Sequence, residues 1–148
     1  MKIPSIRIAV LASILTALIP SGWAAECQVS TSGLNFGNYD VFSTLNDDST
    51  GTITVNCTNG TPYAISLSSG SGSFTSRTMT SGAKILAYNL FLDATHLTIW
   101  GDGSAGTGTL HGTGNGNNTT STVYGRIPAG QNASVGTYSD IVTVTVTF

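Results

Sequence analysis

The sequence has very little charge: only 8% of its 148 residues are charged, with five cations against seven anions and a formal net charge of -2. A nucleic-acid binder neutralises phosphates with a basic face, which five dispersed cations do not supply. Disorder is not indicated either, because it combines low hydrophobicity with high net charge, whereas this chain is 40% hydrophobic. What remains is one globular domain whose surface is covered by uncharged Ser, Thr, Asn and Gly.

Long hydrophobic runs are equally scarce. The one such run, residues 8–19, follows two cations, and cleavage after Ala24 would place small residues, Gly22 and Ala24, at both recognition positions. It is shorter than the roughly 20 residues of a transmembrane helix and is typical of a secretory signal peptide. We therefore predict a signal peptide at 1–24 and a mature domain at 25–148, which meets the membrane only transiently during secretion.

Cysteine is limited to Cys27 and Cys57. In an exported chain two such thiols, with no His/Cys spacing for zinc, predict one disulfide. Closing this loop contributes about 3.7 kcal/mol to stability on the chain-entropy model.

Apolar residues recur at every second position in several stretches, which is the strand period. These stretches are 52–57, 62–67, 85–92 and 138–148. Both faces of 85–92 are apolar, which predicts a central strand buried on two sides. The last stretch is predicted to turn four side chains inward: Val142, Val144, Val146 and Phe148.

Clusters of turn-forming residues separate the strands, at 46–49, 59–62, 68–73 and 102–118. No convincing helical period follows the signal peptide. The fold class is therefore predicted to be all-β, an antiparallel sandwich.

One glycine motif, Gly101 to Gly106, matches the Gly-x-Gly-x-x-Gly pattern. A dinucleotide site needs a helix directly after the glycines, and the next residues do not form a helical pattern. We interpret the motif as a flexible hairpin.

Residues that could carry catalysis or bind a metal are few. His96 and His111 have no second ligand at metal spacing, and we expect both on surface loops. Asn46–Asp48 lacks the ligand pattern of a calcium loop and reads as a solvated turn. There is no Gly-x-Ser-x-Gly elbow and no pair of acids typical of a glycosidase. The expectation is a protein without enzyme activity, cofactor or metal.

Several motifs stand in the order seen in spore coat protein U domains, a family that includes the archaic, Csu-type chaperone-usher pilus subunits. The motifs are Cys27–Val29, Leu34–Tyr39, Gly51–Cys57, Arg77–Met79, Leu86–Asp93, Trp100–Gly101, Val123–Pro128 and Gly136–Asp140. The chain resembles this family from Cys27 to Phe148.

The resemblance implies an incomplete immunoglobulin-like β-sandwich that lacks its final strand, with a Cys27–Cys57 bridge. In the pilus branch a periplasmic chaperone fills the open groove until a sister subunit donates a strand, and an outer-membrane usher exports the fimbria to the cell surface. On this basis the assembly role is expected to lie in the last strand, at Val142, Val144, Val146 and Phe148.

Polymerising subunits of this family carry a donor segment ahead of the first cysteine. Here only Ala25 and Glu26 would precede Cys27 after cleavage. The expectation is a chain that accepts a strand without donating one, as a terminal or tip subunit does, with a role in adhesion and biofilm formation.

Two other functions are compatible with the sequence. One is a stand-alone secreted coat protein, like the spore coat member that names the family. The other is a small carbohydrate-binding or hydrolytic module in which Trp100 and the Gly-rich loop form a sugar platform. The pattern around Trp100 favours a core residue or a loop anchor instead.

Overall fold

The structure is a computed structural model that describes residues 24–148. All but the last residue of the predicted signal peptide, 1–24, lie outside the described residues. The described residues form nine strands: β1 (Cys27–Thr31), β2 (Asp47–Cys57), β3 (Pro62–Leu67), β4 (Ser71–Gly72), β5 (Arg77–Ser81), β6 (Lys84–Phe91), β7 (Leu110–Thr113), β8 (Asn118–Ile127) and β9 (Val144–Thr147).

The strands form two antiparallel sheets, and residues 24–148 contain no helix. The larger sheet has the order β1-β2-β8-β6-β5-β4, and the smaller has the order β7-β3-β9. This arrangement confirms the predicted all-β class and is that of an incomplete immunoglobulin-like sandwich.

The core lies between the sheets and follows the period-2 pattern of the sequence. On β2 the alternation buries Ile53, Val55 and Cys57. On β3 it buries Tyr63, Ile65 and Leu67 in the same way.

The connection between β1 and β2 supplies part of the core that the smaller sheet does not cover. Its buried residues Leu34 and Phe36 pack onto β8 and β6. A Cβ on Gly125 would lie 2.7 Å from Leu34 and 2.8 Å from Phe36, so glycine leaves the room that both side chains need. The Phe36 ring meets the ring of Tyr88 edge-on at 6.1 Å.

The predicted turn at 46–49 is wrong, because β2 begins at Asp47. Asp48 lies opposite Arg126 of β8. The Arg126 guanidinium donates two hydrogen bonds to the Asp48 carboxylate, at 2.6 and 2.7 Å. Residues 47–49 therefore adopt the extended conformation of a strand because they pair with β8, although their composition favours a turn.

Two of the other turn clusters also contain strands. The cluster at 68–73 holds β4, and the cluster at 102–118 holds β7 and the first residue of β8. These strands have few apolar residues, so their alternation is not visible in the sequence.

Strand β6 is central, between β8 and β5, as predicted, but its second face is only partly buried. Leu86, Tyr88 and Leu90 face the core, whereas Ile85 is exposed. No third layer of the described residues covers Ile85, and its apolar character therefore misled the prediction.

Candidate functional site

Strand β9 is an edge strand of the smaller sheet. It pairs with β3 on one side, with Thr147 opposite Ala64 and Val144 opposite Leu67. Within residues 24–148 no strand pairs with its other side. Unpaired edges of this kind are templates for a strand from another chain.

The register shows which backbone groups of β9 point to the free side. The Ser68 amide donates to the Thr143 carbonyl at 2.9 Å, which continues the β3–β9 register. In an antiparallel ladder, residues that bond to the partner strand alternate with residues whose N–H and C=O point away. Thr143, Thr145 and Thr147 thus face β3, and the residues between them, Val144 and Val146, present their backbone groups to the free side.

The side chains at these outward-bonding positions face the core. Val142, Val144 and Val146 are 2%, 0% and 6% exposed. The prediction that Phe148 also faces inward is wrong, since it is 46% exposed and follows the last paired residue, Thr147. The free edge therefore combines available hydrogen-bonding groups with an apolar floor of three valines.

A buried carboxylate fixes the segment that leads into β9. Asp140 accepts hydrogen bonds from the Ser71 and Ile141 amides at 2.9 and 2.8 Å and from the Tyr88 hydroxyl at 2.6 Å. Burial, and then the bond to Asp140, raise the pKa of Tyr88 above its usual range. A Cβ on Gly70, whose φ is +60°, would lie 2.2 Å from the carboxylate, so glycine permits this approach.

Arg77 is a second buried charge beside this segment. Its guanidinium donates to the Ser68 carbonyl, the Trp100 carbonyl and the Asn89 side-chain oxygen at 2.6 to 3.1 Å. Burial lowers its pKa from the ordinary value. In the sequence Arg77 was notable only as part of a family motif. An arginine two residues before Met79, on the same inward face of the strand, is nevertheless a signal of a buried charge with internal hydrogen-bond partners.

The disulfide lies at the far end of β2 from Asp48. Cys27 and Cys57 are bonded, as predicted, and face each other across the β1–β2 register. The bond ties the start of β1 to the end of β2, and leaves the β9 edge untouched.

The other side chains singled out by sequence do not converge with this edge. Trp100 is 0% exposed and its indole N–H donates to the Ile65 carbonyl at 3.0 Å, so a sugar platform on this residue is excluded. The Asp102 carboxylate accepts from the Ser104 amide within the glycine motif, and the next regular element is β7 rather than a helix. The motif is therefore a loop without the helix a phosphate site requires.

The two histidines lie on different parts of the sandwich, and neither belongs to a cluster of possible metal ligands among the described residues. His111 is exposed, as expected, but it lies on strand β7 rather than on a loop. The His96 side chain is only 8% exposed, because it lies between the rings of Phe91 and Tyr124, which corrects the expectation of a surface residue. Among the described residues no three His, Cys, Asp or Glu side chains are placed to hold a metal ion.

Residues 24–148 contain no helix with the length and apolar character needed to cross a bilayer.

Comparison with known proteins gives a consistent result. A family model described as the Spore Coat Protein U domain matches residues 14–145. Protein U of Myxococcus xanthus is 41% identical over an alignment of 129 residues, and the match covers 78% of this chain and 71% of that protein.

A solved structure shares the fold. It is the CsuC–CsuE chaperone–tip adhesion subunit pre-assembly complex from the archaic chaperone-usher Csu pili of Acinetobacter baumannii. The TM-score is 0.64 at 22% identity, over 84% of this chain. This chain spans 40% of the solved chain that it matches.

Proposed function

We propose, from the premise that the chain belongs to the spore coat protein U domain family, that it is a structural subunit of a chaperone-usher fimbria. In this role β9 accepts a strand from a partner. The proposal rests above all on one observation, the free edge of β9 over the floor of Val142, Val144 and Val146.

A partner strand beside β9 would gain two kinds of interaction. Its backbone would bond to the outward groups of Val144 and Val146, and its apolar side chains would extend the core beside the valines. Phe148, at the exposed end of the edge, would contribute its side chain to the rim of the same site.

The partners follow from this role. A periplasmic pilus chaperone would hold the edge first, an outer-membrane usher would export the subunit, and a sister subunit would donate the final strand. The shared fold with a chain of a chaperone–subunit pre-assembly complex supports this sequence. The protein would then pass from the periplasm to a fimbria on the cell surface, where it takes part in adhesion and biofilm formation. Its position at a terminus or tip stays a prediction.

Co-expression with a fimbrial chaperone tests the proposal. Without the chaperone most of the exported chain should be degraded or aggregate, which leaves only a minor soluble fraction of free chain. With the chaperone it should accumulate as a soluble one-to-one complex. A stable, cooperatively folded monomer that does not bind the chaperone would contradict the proposal.

An isosteric pair of variants localises the contact. Val146→Thr places a hydroxyl in the floor beneath the edge, whereas Thr145→Val changes the neighbouring side chain on the opposite face. We expect Val146→Thr to reduce the yield of chaperone complex and Thr145→Val to leave it unchanged. Equal effects of the two variants would place the contact elsewhere.

A coat protein is the second candidate, favoured by the 41% identity to Protein U, a higher identity than that to the pilus structure. Such a protein would be deposited on an envelope without forming a fimbria. Electron microscopy of cells with the chain labelled distinguishes the two, since a fimbrial subunit lies on filaments and a coat protein lies on the envelope itself.

A further inference from the structure

A cleft of about 360 Å³ lies at the end of the sandwich opposite the disulfide. Leu86 of β6 and Tyr138 contribute to its lining, and two loops, 38–42 and 133–136, form its walls. The cleft does not include the edge of β9.

Both loops are held in place by hydrogen bonds. The Tyr39 hydroxyl donates to the Pro128 carbonyl and accepts from the Gln131 amide, both at 2.9 Å. The Gln131 side chain in turn bonds to the amide and carbonyl of Ala87, both at 2.8 Å. Tyr138 anchors the second loop by donating to the Ser134 carbonyl at 2.8 Å.

Each loop presents one apolar side chain almost entirely to solvent. Phe42 is 91% exposed and Val135 is 98% exposed. Leu45 and Ile85, at the same end of the larger sheet, are exposed as well. Clustered exposed apolar residues that flank a cleft are typical of an interaction surface.

Opposite charges lie at the two walls, an aspartate within the first and a lysine of β6 beside the second. Asp40 lies beside Phe42 and accepts a hydrogen bond from its amide at 2.9 Å. Lys84 lies beside Val135 and donates to its carbonyl at 3.3 Å. Of the cations at positions 24–148, Arg77 is buried and Arg126 is paired with Asp48, which leaves Lys84 without a carboxylate partner.

We propose that this cleft is the contact surface between two copies of the chain, with Phe42 of each copy inserted into the cleft of the other. In a two-fold interface the same patch of each copy must contain both a projecting group and the cavity that receives it. This patch contains both, the Phe42 side chain and the cleft. The same contact sets the Phe42 wall of one copy against the Val135 wall of the other, so Asp40 faces the partner's Lys84. Apolar and charged complementarity therefore agree on a second copy as the occupant.

This contact is independent of strand acceptance. The cleft and the β9 edge share none of their key residues, so a subunit could use both at once. For a fimbria the contact would join neighbouring filaments, and for a coat it would join neighbouring molecules in a layer.

Sedimentation velocity of the mature chain, over a wide range of concentration, tests the proposal. We expect a reversible dimer whose dissociation constant rises at least about tenfold in Phe42→Ser, a change of about 1.4 kcal/mol. Lys84→Glu should also weaken it, because it sets a like charge against the partner's Asp40. Leu97→Ser is the matched control, since it removes an exposed leucine outside the cleft and should leave the dimer unchanged.

The outcomes separate this contact from the other possibilities. A strict monomer, or a dimer equally stable in Phe42→Ser, would overturn the proposal, as would a monomer that binds an alkyl-coated surface through Phe42. A dimer weakened by Phe42→Ser and unaffected by Val146→Thr would support it, whatever the outcome of the chaperone experiment.

Discussion

Four strands of residues 24–148 lie at sheet edges: β1 and β4 in the larger sheet, and β7 and β9 in the smaller. Of these four, β1 and β9 are the ones that contain buried residues. Along β1 the Ser32 amide bonds to the Thr52 carbonyl and the Thr58 amide to the Glu26 carbonyl. The backbone N–H and C=O groups of Cys27, Val29 and Thr31 therefore point away from β2 to the free side. The backbone groups of Val144 and Val146 point to the free side of β9 in the same way.

The two edges differ in what lies beneath them. On β1 only Cys27 is buried, and Val29 and Thr31 are half-buried. On β9 the residues that offer backbone groups are also fully buried valines. Both edges have free backbone groups, so these groups alone do not identify the edge that accepts a strand. The continuous row of buried valines beneath the edge is found at β9 and not at β1.

The largest effect should come from removing the anchor of β1. Cys27→Ala with Cys57→Ala should lower the free energy of unfolding by about 3.7 kcal/mol, because the unfolded chain loses its cross-link. Chemical denaturation measures this loss. If the folded variant still binds chaperone, the two edges are independent; if binding is lost in molecules that remain folded, the comparison between them fails.

The next effect concerns the anchor of β9. Asp140→Ala should cost about 3 kcal/mol, because it leaves the Tyr88 hydroxyl and the Ser71 amide without acceptors. Asp140→Asn keeps one carbonyl oxygen and should cost less. Both variants are measured by denaturation and by chaperone capture. Capture that is insensitive to Asp140→Ala would show that this carboxylate does not position the edge.

A Val→Ala substitution removes the same two methyl groups from the side chains beneath either edge. Val144→Ala should cost about 2 kcal/mol, whereas Val29→Ala, at a half-buried site, should cost less than about 1 kcal/mol. Only Val144→Ala should also weaken chaperone capture. Equal losses of capture would mean that both edges take part.

The smallest effect is expected between the edges, at the Asp48–Arg126 pair on β2 and β8. The hydrogen bond from Arg126 lowers the pKa of Asp48 below its ordinary value of 3.8. A lowered carboxylate pKa stabilises the fold above 3.8, and this contribution is lost as the pH falls through the folded pKa. The pair is partly exposed, so its coupling at neutral pH should stay below about 1 kcal/mol.

A double-mutant cycle with Asp48→Asn and Arg126→Met, at neutral and strongly acidic pH, measures this coupling. The coupling should vanish in acid, and neither variant should change chaperone capture. A coupling that grows as the pH falls would contradict the assignment.

Much of the fold could be predicted from apolar alternation. It located the inward face of β2 at Ile53, Val55 and Cys57. It also located the buried positions Val144 and Val146 of β9, and Val142 just before that strand. The all-β class and the disulfide also followed from the sequence alone.

What could not be predicted depends on partners distant along the chain. Asp47 and Asp48 are extended because β8 lies opposite them. The start of β8, Asn118–Thr122, has no apolar residue to reveal a strand period, and its register comes from β2. Arg77 is buried through acceptors on Ser68, Asn89 and Trp100, none of which is adjacent in sequence.

The candidate site shows the same division. Alternation indicated the three valines but not the end of the edge, where Phe148 passes beyond the last paired residue. Asp140 was part of a family motif, and only the structure shows that it joins β9 to β4 and β6.

Amide hydrogen exchange by NMR tests the central claim most directly. The account predicts rapid exchange at Val144 and Val146 and protection at Thr145 and Thr147 in the free chain, with the valine amides becoming protected when chaperone or a donor strand is bound. Protection of all four amides without any partner, or valine amides that stay unprotected in the chaperone complex, would contradict it.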